Sequence, residues 1–249
     1  MKKLLALLLV LVMSLCFIVS CSIEDNTPAG PEILEELDGK TSEEIFDDIV
    51  DISSAMTNYT MVVNTTIEYS DGQTLNRVET YKFDGKDQSA TIVFSYADQS
   101  ESMAYWWIDG MYYTQDLDGF KSKTELAYEK YLVLIGQEPG AELFLNYPVN
   151  WFRDTVIKKS GSNYYLEGVI DANEFNEYVG SYKSSTFSNI KFKVMITESG
   201  EFVSLNMEYD QTTSGVKVHC IAVDSFNNVG TTVVDQPENP DSFSPDVFQ

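Results

Sequence analysis

The sequence predicts an α+β domain in which a curved antiparallel sheet, a half-open β-barrel, packs around an N-terminal amphipathic helix and short inserted helices. Three observations predict this fold. One apolar helical stripe precedes a long series of strand-like segments, turn signals such as Asp-Gly join those segments, and 13% of the 249 residues are aromatic. Aromatic and β-branched side chains suit a pleated, half-buried surface, and glycine tolerates the positive φ of tight hairpin turns.

The N-terminus has the pattern of a bacterial lipoprotein signal peptide. Two lysines precede an apolar run from Leu4 to Val19, which is shorter than the roughly 20 residues that a transmembrane helix needs. Ile18-Val19-Ser20-Cys21 resembles the lipobox, with an aliphatic residue three before the cysteine and a small residue just before it. The resemblance implies cleavage after Ser20 and diacylation of Cys21, for example with palmitate. The alternative is an ordinary signal peptide with a chance cysteine.

This N-terminus predicts where the protein is located. Several acyl chains on one cysteine anchor a protein durably, because each buried CH₂ contributes about 0.8 kcal/mol. We therefore expect a lipid-anchored protein on the extracytoplasmic face of the cell membrane. Cys16 leaves with the signal peptide and Cys21 takes the lipid, so Cys220 alone remains and no intramolecular disulfide is available.

The charge of the chain excludes one class of partner. The sequence has 39 acidic and 16 basic residues and a formal net charge of −23. Such a negative field repels nucleic acid, so we expect no nucleic-acid partner. We interpret the excess as a solvated acidic surface, and attraction of cations or basic peptides is the alternative.

The division of the chain follows from composition and periodicity. Residues 1–20 form the signal peptide, and residues 21–40, rich in Glu, Asp, Pro and Gly, are predicted to be a flexible tether. The domain spans residues 41–237, and the Pro- and Asp-rich residues 238–249 are predicted to be a disordered tail. An amphipathic helix opens the domain, because Thr41 and Glu44 have the spacing of a capping box just before an apolar stripe.

Strand-like segments follow this helix. Five of them between residues 59 and 115 are joined by short turns, which predicts an antiparallel meander. One or two short helices between residues 124 and 146 interrupt the meander. A hairpin crosses Gly161, Asp171 is placed to cap a further short helix, and three final strands lie between residues 190 and 223.

The order of these elements resembles the LolA/LppX-like superfamily of lipoprotein and lipid carriers, particularly its uncharacterised Gram-positive lipoproteins. Two segments carry the resemblance, WWIDGMYYTQ at residues 106–115 and DSFNNVGTTVVDQPE at residues 224–238. It covers roughly residues 41–237. The resemblance implies an apolar cavity on the concave side of the sheet, where the carriers hold acyl chains. This chain differs from free shuttles in having its own lipid anchor.

The resemblance implies a surface lipoprotein that binds an apolar or amphipathic ligand, such as a lipid, an acyl chain or a lipoprotein segment. The candidate lining residues are Ile45, Ile49, Ile52, Tyr105, Trp107 and Tyr112. The alternative for the aromatic residues is ordinary core packing against the helix. The alternative function is a protein-interaction or sensory module of the cell envelope, with an envelope protein as partner and no ligand cavity.

No catalytic, metal or cofactor site is predicted. His219, the single histidine, alternates with Cys220 along one strand, so we expect their side chains on opposite faces and Cys220 as a buried small hydrophobe. Ser-x-x-Lys matches at Ser188 and Ser214 fall at strand starts rather than on a helix. Asp residues beside glycine are explained as turn residues. We therefore expect a protein that is not an enzyme and uses no cofactor.

Overall fold

The computed structural model describes residues 32–54, 56–85, 87–134, 151–161, 163–180, 185–197 and 202–245. Within these residues, 13 strands form one large curved sheet that does not close into a barrel. Few helices accompany it, which confirms the predicted α+β half-open barrel.

The strands are β1 (Glu32–Leu34), β2 (Asn58–Tyr69), β3 (Thr74–Asp84), β4 (Asp87–Tyr96), β5 (Gln99–Ile108), β6 (Met111–Gln115), β7 (Lys121–Glu125), β8 (Phe152–Ser160), β9 (Asn163–Ile170), β10 (Ser185–Thr197), β11 (Phe202–Thr213), β12 (Val216–Asn227) and β13 (Ser244–Pro245). The helices are α1 (Ser42–Ser54), α2 (Tyr128–Leu134), α3 (Ala172–Gly180) and a 3₁₀ turn (Pro240–Ser242). The strand order is β1-β8-β9-β10-β11-β12-β2-β3-β4-β5-β6-β7-β13. Only the β7–β13 pair is parallel among these strands.

The predicted antiparallel hairpins form, and the Asp-Gly pair between β5 and β6 makes a tight turn as predicted. Strands β2 to β7 pair in sequence order, each antiparallel to the next. Between β5 and β6, Asp109 has φ 51° and Gly110 has φ 79°. Two successive positive φ angles are what a type I′ hairpin turn requires, and glycine adopts them without a steric penalty.

The helix starts also follow the sequence signals. The Glu44 amide donates to Thr41 Oγ1 at 3.3 Å, and the Thr41 amide donates to Glu44 Oε2 at 2.9 Å, so the capping box is confirmed. Asp171 caps α3, since its Oδ1 accepts from the Asn173 amide at 2.9 Å. Glu44 lies in the first turn of α1 and Asp171 immediately precedes α3, and at both positions the helix dipole stabilises negative charge.

The structure differs from the sequence prediction at the two ends of the domain. Glu32–Leu34, within the predicted tether, pairs with β8 as an edge strand. In the predicted tail, Ser244–Pro245 pairs with β7, and Phe243 is buried. Strand β7, Lys121–Glu125, was not predicted either, because its polar sequence has no apolar alternation. These short segments are ordered by the sheet edge that they meet, a non-local effect that local patterns do not contain.

Hydrophobic packing defines two faces of the sheet. Helix α1 buries Ile45, Phe46 and Ile49 against β8–β11, whose side chains Leu166 and Val194 are fully buried there. We call this the inner face, and the residues of this group the first cluster. Phe175 of α3 joins the first cluster. The opposite side is the outer face, where Phe243 packs edge-on against the rings of Trp106 and Tyr113.

Candidate functional site

The structure places the six predicted lining residues in two separate groups. Ile45 and Ile49 belong to the first cluster and are 7% and 2% exposed. The backbone of Ile52 continues α1, but its side chain lies outside the described residues, as does the whole of Cys21. Tyr105, Trp107 and Tyr112 belong to a second cluster, around helix α2. The helix isoleucines and the strand aromatics therefore do not line one common surface.

The second cluster is a packed core element centred on Tyr131. This residue is fully buried, and its ring centroid lies 5.9 Å from that of Trp107 and 5.7 Å from that of Tyr112. Its hydroxyl donates to Gln88 Oε1 at 3.1 Å, and Trp107 Nε1 donates to the Leu126 carbonyl at 2.8 Å. Core packing thus accounts for Trp107, but the helix it packs against is α2 and not α1.

A partly uncovered strip of the inner face lies between the two clusters. The register aligns Val63, Glu79, Ile92 and Met103 in one row across β2, β3, β4 and β5. We call this strip the trough. Its apolar side chains, all half-buried, are Val63, Ile67, Ile92, Phe94, Met103 and Tyr105. Half-buried apolar groups in a concave sheet are typical of a surface that a ligand can cover further.

Charged groups lie within this apolar strip, on strand β3. Glu79 is only 8% exposed. Its Oε1 lies 2.9 Å from Arg77 Nε, and its Oε2 accepts a hydrogen bond from the Tyr81 hydroxyl at 2.5 Å. Arg77 keeps 35% of its side chain exposed, so the pair reaches from the buried floor of the trough toward solvent. Glu79 is thus a buried carboxylate with a cation and a donor beside it, as buried charges require.

A second buried carboxylate lies in the same row without such partners. The register aligns Asp224 of β12 with Val63, which in turn is aligned with Glu79. Asp224 is 6% exposed, and its Oδ1 has no hydrogen-bond partner among the described residues. Burial, and next the nearby charge of Glu79, raise the pKa of Asp224 to about 7. The group therefore changes charge near neutral pH.

Thr65 adds a second unsatisfied atom beside Asp224. It is 3% exposed, and within the described ranges its Oγ1 also lacks a hydrogen-bond partner. Thr65 is aligned with Ala222, two residues before Asp224, so the two side chains are diagonal neighbours on the inner face. Leaving a polar atom buried and unpaired costs about 1–3 kcal/mol, which makes this pair unusual in a folded core. We call Thr65, Arg77, Glu79, Tyr81 and Asp224 the interior polar cluster.

Sequence reasoning missed this cluster, although a signal was present. Arg77 and Glu79 fall in phase with the apolar side chains of β3, and Asp224 falls in phase with Cys220 and Phe226 on β12. A charged residue at an inward position of an alternating strand is a departure from the pattern of a half-buried sheet. Assigning every residue of each strand to the inward or the outward face, and not only the strand boundaries, would have indicated these positions.

The His219 and Cys220 prediction is confirmed. Cys220 is buried on the inner face at 1% exposure, and Tyr209 is hydrogen-bonded to it. His219 lies on the outer face with its Nδ1 3.0 Å from Asp210 Oδ1. Burial raises the pKa of the Cys220 thiol, which disfavours the nucleophilic thiolate.

The outer face of β8–β12 holds two open grooves of about 460 and 480 Å³. They share Val169, Lys191 and Glu208, and the last two form an ion pair at 2.8 Å. Ile221, which lines the first groove, is 40% exposed. Both grooves lie on the side of the sheet away from the helices, not where the ligand cavity was predicted.

The described part of the chain has neither a cluster of metal-ligating side chains nor a membrane-spanning helix. No group of three or more His, Cys, Asp or Glu side chains there could hold a metal ion. In the same residues, no helix has both the length and the apolar character needed to cross a membrane.

Comparisons with known proteins give no family. The sequence matches no protein-family model and no curated protein. One solved structure that aligns with the chain is described as a crystal structure of the bifunctional dehydratase-cyclase domain in ambruticin biosynthesis. The alignment covers 71% of this chain and 77% of the other at 7% identity, with a TM-score of 0.15. A TM-score this low supports no inference about function.

Proposed function

We propose that this protein is a lipid-anchored protein of the extracytoplasmic membrane face, and that its trough binds an apolar or amphipathic ligand. The trough is the observation that supports this function. It combines half-buried apolar side chains on four adjacent strands with a small interior polar cluster. The LolA/LppX-like resemblance supports it as well, because that superfamily is expected to have a curved sheet with helices on one face.

The energetics of the trough favour an extended apolar segment such as an acyl chain. Covering apolar surface contributes roughly 25 cal/mol per Å² removed from water. Val63 on β2, Ile92 on β4 and Met103 on β5 are the apolar members of the trough row, and Glu79 on β3 lies between Val63 and Ile92. A ligand with one polar end could place that end at the interior polar cluster, because ligand sites are commonly apolar walls with few polar groups.

A trough-filling substitution tests this function. The full-length chain carrying Cys21→Ala, which removes the anchor, is titrated with a fluorescent fatty-acid probe with and without Ile92→Trp. We expect Ile92→Trp to weaken binding about tenfold or more, because the indole occupies the trough. The matched control is Val78→Trp on neighbouring β3, where Val78 is 37% exposed on the outer face. Equal binding by both variants, or no binding by the parent chain, would contradict the proposal.

The outer grooves favour a second candidate function, a protein-interaction or sensory module of the envelope. Exposed Val169 and Ile221 lie beside paired charges there, a composition typical of protein interfaces. A photo-crosslinking residue at position 221 should trap one envelope protein in cells under this hypothesis. The crosslink should persist with Ile92→Trp, whereas ligand binding in the trough should not.

A further inference from the structure

We propose that the ligand of the trough carries a positively charged, hydrogen-bond-donating head group, which binds between Asp224 and Thr65. This inference rests on the proposed function, and it names the chemical class of the ligand. An amphiphile with an alkylammonium head is the simplest member of that class.

The geometry supplies two acceptors, and the cation aligned with Thr65, Arg77, is paired with Glu79 instead. Asp224 Oδ1 and Thr65 Oγ1 are both buried on adjacent strands β12 and β2, and neither has a hydrogen-bond partner in the part of the chain that the structure describes. Diagonal neighbours on one sheet face lie roughly 7–8 Å apart at their backbones, so one ammonium-sized group can contact both side chains. An ammonium offers three donors, and both of these oxygens can accept.

The local charge selects a cation over an anion. Arg77 lies 2.9 Å from Glu79 Oε1 and so offsets the charge of that carboxylate. No cation of the described residues forms an ion pair with Asp224, so an excess negative charge remains at its position when it is ionised. An anionic head such as a carboxylate would add a third negative group in a buried site, where charges are weakly screened. A neutral head would gain only hydrogen bonds.

The walls around the two acceptors suit the chain of such an amphiphile. Val63 separates Asp224 from Glu79 in the row, and Ile92 and Met103 continue the row away from the polar cluster. A chain that runs from a head group at Asp224 toward the second cluster therefore passes Val63, crosses β3 beside the Glu79–Arg77 pair and then reaches Ile92 and Met103.

Binding of this kind depends on pH in a defined direction. The titratable or charged groups that face Asp224 are Arg77, Glu79 and Tyr81 of β3, Tyr209 of β11 and Cys220 of β12, whereas α1 turns its apolar stripe inward. The pKa of Asp224, raised to about 7, makes the carboxylate predominate at pH 8 and the neutral acid at pH 5.5. An alkylammonium remains charged at both values, so its affinity should rise with pH.

Calorimetry with three probes of equal chain length tests the inference. The full-length Cys21→Ala chain is titrated with dodecylammonium, dodecanol and laurate at pH 8 and pH 5.5. We expect dodecylammonium to bind about tenfold more tightly than dodecanol at pH 8, and this preference to fall toward parity at pH 5.5. Laurate should be the weakest probe at pH 8.

Variants assign the preference to the proposed residues. Asp224→Asn should remove the preference for dodecylammonium over dodecanol, while Thr65→Val should reduce that preference a few-fold. Asp210→Asn on the outer face is the matched control and should keep the preference in full. Circular dichroism checks that each variant is folded.

The outcomes separate the two proposals. Dodecanol binding with no preference for the cation, or a preference that survives Asp224→Asn, would overturn the head-group inference alone and would mean that an ordered water satisfies the two oxygens. Tighter binding of laurate at pH 8 would overturn it as well. Failure of all three probes to bind would overturn the proposed function and this inference together.

Discussion

Asp224 and Glu79 lie in one row on the inner face with Val63 between them, yet among the described residues only Glu79 forms an ion pair with a cation. Both carboxyl groups are at least nine-tenths buried. A buried carboxylate without a partner opposes folding whenever it is ionised, because it loses hydration and gains little in return. Ionisation of Asp224 therefore makes the free energy of unfolding of the domain depend on pH.

Asp224→Asn should stabilise the protein at pH 8. The pKa of Asp224 is raised to about 7 in the fold, well above that of an unfolded aspartate, so the unfolded state releases this proton first. The destabilisation of the fold by ionised Asp224 is absent at low pH, grows as the pH rises past about 4 and is complete above pH 7. The difference between the pKa of Asp224 in the folded and in the unfolded protein corresponds to a destabilisation of roughly 4 kcal/mol at most.

Urea denaturation of the wild type and Asp224→Asn at pH 4.5, 6 and 8 measures this effect. The difference in the free energy of unfolding should grow with pH in favour of the variant. A difference that is constant across the three pH values would show that Asp224 is already paired in the folded protein.

Tyr131→Phe should destabilise the protein by about 1–2 kcal/mol. The substitution keeps the ring packing on Trp107 but leaves Gln88 Oε1, in a 5% exposed side chain, without the donor that lies 3.1 Å away. Tyr113→Phe, on the half-buried ring that packs against Phe243, is the matched control and should change the free energy of unfolding much less. Chemical denaturation followed by tryptophan fluorescence provides the measurement. Equal effects of the two substitutions would contradict the assigned hydrogen bond.

Gly168→Ala should destabilise the protein by about 1–3 kcal/mol through overpacking. A Cβ at Gly168 would lie 2.8 Å from the Arg153 carbonyl oxygen and 2.8 Å from the Phe192 ring. That ring cannot easily move, because it packs edge-on against Phe152 at 4.9 Å within the first cluster. Val169→Ala, at a neighbouring site that is 37% exposed, is the control with little expected change in melting temperature. A melting temperature unchanged by Gly168→Ala would show that the cluster has room to adjust.

Cys21→Ala should abolish lipid attachment. Cells are grown with an alkyne palmitate analogue, and incorporation is read by in-gel fluorescence. The wild-type chain should carry the label and fractionate with membranes, whereas the variant should carry none and leave the membrane fraction. Cys220→Ala is the matched control, because its thiol is buried in the domain, and it should retain the label. Label that persists in Cys21→Ala would rule out the lipobox interpretation.

Local chemistry explains which parts of the fold could be predicted from sequence. The Thr41–Glu44 capping box and the Asp109-Gly110 turn act within a few residues, so sequence spacing alone specifies them. Strand β7 and the packing of Phe243 depend instead on strands elsewhere in the sheet. The choice of α2 rather than α1 as the partner of Trp107 is likewise a matter of chain topology.

The candidate site was harder to predict for a related reason. Glu79 and Asp224 are 145 positions apart in the sequence. They lie in one row of the sheet only because β12 pairs with β2 after the chain has formed β8–β11. Nothing in either strand specifies that pairing. Of the lining residues predicted from the apolar pattern, Ile45, Ile49 and Trp107 are buried in the core and Tyr105 lies in the trough. The unusual positions are polar ones whose neighbours only the topology supplies.

The two edge strands of the sheet are β1, which is three residues long, and β13, which is two residues long. They come from opposite ends of the domain. Unpaired strand edges recruit other chains and start aggregation, and very short terminal strands or a proline limit that recruitment. Pro245 occupies one of these margins. Proteolytic removal of β1 or β13 would expose the edge of β8 or β7, so these two short strands keep neighbouring copies from pairing edge to edge.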